Sequence, residues 1–178
     1  MELWDLLDKD GNPLGIQHVR SGILPEGAYH RTVEIFTVNS QGQLLVTLRD
    51  PNKETYPDMW EFTGGSVISG EDSMNAAIRE LQEETGIVRT ADEMLFLMTN
   101  PGKTALMDIY LTFCDADVSE LTMQAGETVE AKWVTFGEFE KMIDDGLVPE
   151  PVYRRYRAAK DLLASEIGKR GGIINHKA

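Results

Sequence analysis

Short alternating runs of apolar and polar side chains, broken by turn residues, organise the first sixty positions. Trp4 to Leu7 reads as a short strand, followed by the turn Asp10-Gly11-Asn12-Pro13. Ser21 to Ala28, with two Gly and one Pro, is expected to be loop. Arg31 to Val38 (RTVEIFTV) is β-branched with a period of two, a strand pattern. Asn39 to Gly42 turns the chain towards a hairpin partner at Leu44 to Leu48. Asp50 to Asp58, polar with two prolines, reads as a longer loop, and Trp60 to Phe62 as a brief strand ahead of Gly64-Gly65.

From Asp72 to Thr85 the apolar period becomes helical. Met74, Ala77, Ile78 and Leu81 form one stripe, Asp72 or Ser73 caps the start, and Gly86 stops the end. Met94 to Met98, Asp108 to Phe113 and Ala131 to Thr135 read as strands. Phe136 to Asp145 is a short helix stopped by Gly146, and Val152 to Gly168 a longer one entered through Pro149 and Pro151. Strands, a central helix, more strands and then helices make an α/β chain of the α+β kind, not a regular βαβ wind. At 178 residues one domain, 1–178, is expected, with residues 1–30 as an N-terminal extension and 168–178 as a loose tail.

Charge narrows the chemistry. Seventeen Lys and Arg against thirty Asp and Glu give a net charge of −13. That balance argues against nucleic-acid binding, which needs clustered bases. A phosphorylated ligand stays open if divalent cations sit between it and the protein. No apolar run approaches a membrane span, and MELWDLLDKD has no secretory pattern. With a single cysteine, Cys114, expected to be a small buried hydrophobe, a cytoplasmic location is expected.

The carboxylates are grouped. Glu71, Asp72, Glu80, Glu83 and Glu84 surround one base, Arg79, in GSVISGEDSMNAAIRELQEETGI. Glu80, Glu83 and Glu84 fall on one helical arc, where like charges cost roughly 0.2–0.5 kcal/mol per pair. A solvated acidic face is the plain account of three such glutamates. Gly64-Gly65 just before them favours a second account, because glycine lets backbone approach a ligand and hard oxygen donors suit Mg²⁺.

Gly65, five residues, Glu71, seven residues, Arg79-Glu80-Leu81, one residue, Glu83-Glu84, one residue and Gly86-Ile87 match the Nudix box at every fixed position. The resemblance implies the Nudix fold, a mixed β-sheet sandwiched between helices, with residues 65–87 as a loop–helix–loop. It implies Mg²⁺- or Mn²⁺-dependent hydrolysis of a nucleoside diphosphate derivative. It further implies Glu80, Glu83 and Glu84 as metal ligands, joined by the Gly64 carbonyl, with Arg79 orienting them, Glu71 bracing the loop, and Gly65 and Gly86 as structural glycines. The resemblance leaves the general base as a box glutamate or a later-loop one; Glu127 is the later-loop candidate and Glu130 the runner-up, with a solvated loop glutamate as the plain account of either. A homodimer is compatible with the family.

The first half, WDLLDKDGNPLG and YHRTVEIFTVNSQGQLLVTLRDPNKETYPDMWEFTGGSV, is similar to the isopentenyl-diphosphate isomerase branch. Isomerisation of a prenyl diphosphate is therefore an alternative, and a non-catalytic nucleotide-binding module a third. Against isomerisation, Gly64 stands where the isomerases place a catalytic cysteine, and Ser66 near their metal histidine. His30 matches one of the isomerases' metal histidines and Asp108 sits near one of their acidic ligands, though a hydrogen-bonded structural role is expected for His30. His18 and His176 show no partner pattern. Arg49 and Lys53 are candidates to bind substrate phosphates. Trp60 is expected to pack, while Tyr56 can stack or pack. Pro101 stands near a proline of ADP-ribose hydrolases. Arg154, Arg155, Arg157 and Lys160 read as a solvated basic face.

Overall fold

The structure, a computed structural model, describes residues 2–20 and 22–170. In chain order its elements are β1 (Leu3–Leu7), β2 (Pro13–Val19), β3 (His30–Val38), β4 (Leu44–Arg49), β5 (Trp60–Glu61), β6 (Thr63–Ser66), α1 (Ser73–Thr85), β7 (Met94–Pro101), β8 (Ala105–Phe113), β9 (Thr128–Val134), α2 (Phe136–Asp144) and α3 (Glu150–Lys169). The predicted order of elements holds, as does the sandwich.

Two strands depart from expectation. β2 pairs antiparallel with β1 but lies mostly exposed, so its PLGIQHV sequence carries no burial pattern to read. β6 is Thr-Gly-Gly-Ser, poor in strand-forming residues, and pairs antiparallel with β3. Its glycine is sterically required, because a Cβ at Gly64 would stand 2.4 Å from the Val33 carbonyl oxygen. The last helix runs to Lys169, past the expected start of the tail at 168; residues 171–178, with His176, lie outside the described residues.

The seven-stranded sheet has two limbs. β9-β4-β5 is antiparallel, while the other limb, β6-β3-β8-β7, contains the parallel pair β3/β8. β3 and β4 pair only at Val38↔Leu44, beside the Asn39–Gln43 turn, and Phe62 carries the chain from β5 back to β6.

Alternation along β3 sends Val33 and Ile35 to one face and Phe36 and Val38 to the other. On the first face α1 packs with Ala76, Ala77 and Leu81 buried. On the second, α2 and α3 bring Phe136, Phe139, Tyr156 and Leu163 against Phe36 and Phe62. The α1 caps are as predicted: the Asp72 side chain accepts from the Asn75 amide at 2.8 Å, and Gly86 takes φ +77°.

His30 is half-buried and structural. Its ring stacks on Trp4 at 3.9 Å between centroids, and Nδ1 donates to the Thr104 carbonyl at 3.1 Å. Asp108 is buried and held by Arg31 at 2.6 Å and by the Thr99 hydroxyl. Trp60 packs in the core under Lys132, as expected. Cys114 is only partly buried. The basic run on α3 is not one solvated face: Arg155 turns inward to Glu34, Lys160 pairs with Glu140, and Arg154 pairs with Glu150.

Candidate active site

The turn from β6 into α1 sets glutamates against glycines. Glu84 lies on the last turn of α1 and is 6% exposed. Its Oε2 accepts from the Gly64 amide at 3.3 Å, and no cation among the described residues pairs with it. Burial pushes its pKa well up, and the charges of Glu61 and Glu80 add to the effect. Glu80 lies against Gly65, where a Cβ would stand 2.1 Å from its carboxyl group. Burial raises the Glu80 pKa and Arg79 opposes that rise.

Arg79 is the hub. Its Nε and Nη2 donate to Glu71 at 3.0 and 2.9 Å, and Nη2 also donates to the Ser66 carbonyl at 3.0 Å. Nη1 donates to Glu80 at 2.8 Å and to Glu83 at 3.1 Å. A bidentate grip on Glu71 with both other glutamates attached fixes the loop relative to the helix. Among the described residues no three Asp, Glu, His or Cys side chains close on one point as a finished ligand sphere. Glu80 and Glu83 are turned to Arg79, while Glu84 faces Gly64. A divalent cation nonetheless suits this chemistry: the donors are hard oxygens, and Glu84 is a buried acid with no protein cation of its own.

The later loop reaches the same place. The Thr128 hydroxyl donates to the Glu84 carbonyl at 3.2 Å, and the Thr122 amide donates to the Thr85 carbonyl at 3.0 Å. Glu127 is thereby near enough for its charge to act on Glu84. It pairs with Lys53, and its carbonyl accepts from the Asp50 amide, so the two candidate residues come as one unit. Glu130 is exposed on β9. Arg49 is more deeply placed: it donates to Glu61 at 2.5 Å and to the Thr55 and Tyr56 carbonyls, holding the loop in which Tyr56 and Asp58 have positive φ.

Two functional-looking residues escaped the sequence reading, and a third, Arg155, was read there only as part of a solvated basic face. Glu61 and Glu34 are partly and fully buried carboxylates, and Arg155 bonds Glu34 from α3, 121 residues away. Burial raises the pKa of both acids, with Arg49 opposing at Glu61 and Arg155 at Glu34. The available signal was Glu34 itself, a charge set between Val33 and Ile35-Phe36 in a strand. With Thr32, Gly64, Gly65 and Met107, these three line a cavity of about 210 Å³.

The NUDIX domain model matches residues 28–156. A Nudix hydrolase of Listeria monocytogenes is 33% identical over 82% of this chain and 87% of its own length. An isopentenyl-diphosphate Δ-isomerase of Citrobacter koseri is 27% identical over 72% of this chain and 74% of its own. Among solved structures, DR0079 of Deinococcus radiodurans superposes with a TM-score of 0.75 at 24% identity, covering 89% of this chain and 99% of its own.

Proposed function

Since this chain belongs to the Nudix family and is a Nudix hydrolase, we propose that it is a divalent-metal-dependent pyrophosphohydrolase of a nucleoside diphosphate derivative. The observation that carries the reading is Glu84, an acid buried beside Gly64-Gly65 with no cation of its own, inside a complete box. Glu80, Glu83, Glu84 and the Gly64 carbonyl would hold Mg²⁺ or Mn²⁺. When bound, the ion neutralises the diphosphate and lowers the pKa of a coordinated water.

The chain's own residues do the rest. Arg79, fixed by Glu71, aims Glu80 and Glu83, and Gly65 leaves room for Glu80. Water attacks one phosphorus, the bridging P–O bond breaks, and the attacking water's proton passes to a carboxylate. Glu127 is our candidate for that base, and Lys53 beside it for a phosphate contact. Arg49 serves the site by bracing Glu61 and the preceding loop. No helix among the described residues is long and apolar enough to cross a membrane.

A panel of nucleotide sugars, dinucleotides, nucleoside triphosphates and prenyl diphosphates, with Mg²⁺ and with Mn²⁺, tests the reading through phosphatase-coupled phosphate release. Hydrolysis of at least one diphosphate, lost in Glu83→Gln and Glu84→Gln, is expected. Near-full activity in both variants would remove the ligand assignment. The relationship to isomerases favours one further trial, isopentenyl diphosphate with Mg²⁺, from which no dimethylallyl diphosphate is expected.

A further inference from the structure

We infer that Glu34, held by Arg155, is a specificity-determining residue that accepts a hydrogen bond from a hydroxyl of the sugar next to the substrate's diphosphate. The inference rests on the pyrophosphohydrolase reading and adds to it the chemistry of the group that the cleft selects.

The ion pair is lopsided. Arg155 sends both Nε and Nη2 to one oxygen, Oε2, at 2.8 and 2.5 Å. Arg–carboxylate pairs frequently use both oxygens, one per N–H. Here Oε1 is buried and has no hydrogen-bond partner. A buried acceptor left unmatched is costly, and Glu34 is only 2% exposed, so bulk water does not compensate it.

The location supplies the missing donor. Glu34 is a wall of the 210 Å³ cavity that also holds Gly64 and Gly65. It is the direct strand partner of Gly64 across β3 and β6, so one side-chain length separates its carboxyl group from the backbone carbonyl proposed above to help hold the metal that neutralises the diphosphate. The first chemical group at that remove from a nucleoside or sugar diphosphate is a sugar ring. Sugar hydroxyls are donors that match a carboxylate oxygen left without a partner beside a guanidinium. The cavity is smaller than the roughly 300–1,000 Å³ of a pocket that takes a whole ligand. It shares Thr32, Met107 and Arg155 with a second groove of about 540 Å³, which runs under α3 to Lys103 and Arg154. The sugar thus occupies the small chamber, and the rest of the molecule has a larger one to extend into.

The test compares matched probes that differ only in hydroxyls: ADP-ribose against its 2′,3′-dideoxyadenosine analogue, and UDP-glucose against UDP-2-deoxyglucose. KM and kcat are measured with Mg²⁺, and binding by calorimetry without turnover. Wild type is expected to prefer the hydroxylated member of one pair by roughly ten- to hundredfold, mostly in KM or Kd, as for a hydrogen bond to a charged group. Glu34→Gln should shrink that preference about tenfold. Because it leaves Arg155 buried without its counter-charge, the neutral pair Glu34→Leu with Arg155→Met is measured beside it, with thermal melts of both, and should abolish the preference. A preference that survives in a folded variant, or a wild type indifferent to the hydroxyls, overturns the inference; an internal water on Oε1 would give that result. Hydrolysis without hydroxyl preference defeats this inference alone. Binding with preference but no hydrolysis defeats only the catalytic reading, and neither binding nor hydrolysis defeats both.

Discussion

The two faces of the sheet solve opposite problems. On the α2–α3 side, Phe36, Phe62, Phe136, Phe139 and Tyr156 meet in edge, tilted and stacked contacts at 4.5–6.5 Å, the geometry that adds stability beyond buried area. On the α1 side the helix buries small residues, Ala76 and Ala77, and then an acid, Glu84. Charge there is gathered where a fold would avoid it, and one arginine, Arg79, restrains three of the box's glutamates. The contrast teaches that the aromatic layer carries the stability that the box spends on reactive geometry.

Four measurements break or sharpen that contrast. The largest effect is expected from Glu84→Gln. Turnover should fall by about 10²–10³-fold, while the melting temperature in chelator stays at or above wild type, because a buried acid with no counter-charge is gone. A large drop in melting temperature would place stability on the α1 side and break the comparison. Phe139→Ala should do the reverse, costing about 3–5 kcal/mol in denaturant titration with kcat per folded molecule unchanged. Gly65→Ala should displace the Glu80 carboxyl and cost about 10²-fold in kcat/KM, with the melting temperature nearly unchanged, since the group that must give way is the far end of a flexible side chain.

The smallest effect belongs to His30. Burial lowers its pKa below the ordinary 6.5, so the unfolded chain protonates first as pH falls. Its contribution is present above 6.5 and is lost as pH drops through the lower folded value. His30→Gln should flatten melting temperature against pH across that window by a few degrees at most.

Legibility followed the locality of the cause. The α1 helix, its caps and its carboxylates were readable because caps and period are written in neighbouring residues, and the box brought Glu71 to Arg79 by known spacing. β6 was missed because Thr63–Ser66 has no strand signal of its own; the pairing with β3 makes it a strand. Arg155 was misread as solvated because its partner lies 121 residues upstream, and only tertiary packing turns one of four basic residues inward. Arg49 looked like a free phosphate ligand for the same reason: the carbonyls it holds become acceptors only once the loop folds.

The forked sheet has its own consequence. Its limbs meet through one residue pair, Val38↔Leu44, and through Phe62. Glu34 rides on one limb and Glu61 on the other, facing a common chamber. Substitutions in the Asn39–Gln43 turn are therefore expected to alter the spacing of Glu34 and Glu61 while every letter of the box is kept. In descent, such a scaffold is free to trade what it admits without relearning how it cuts.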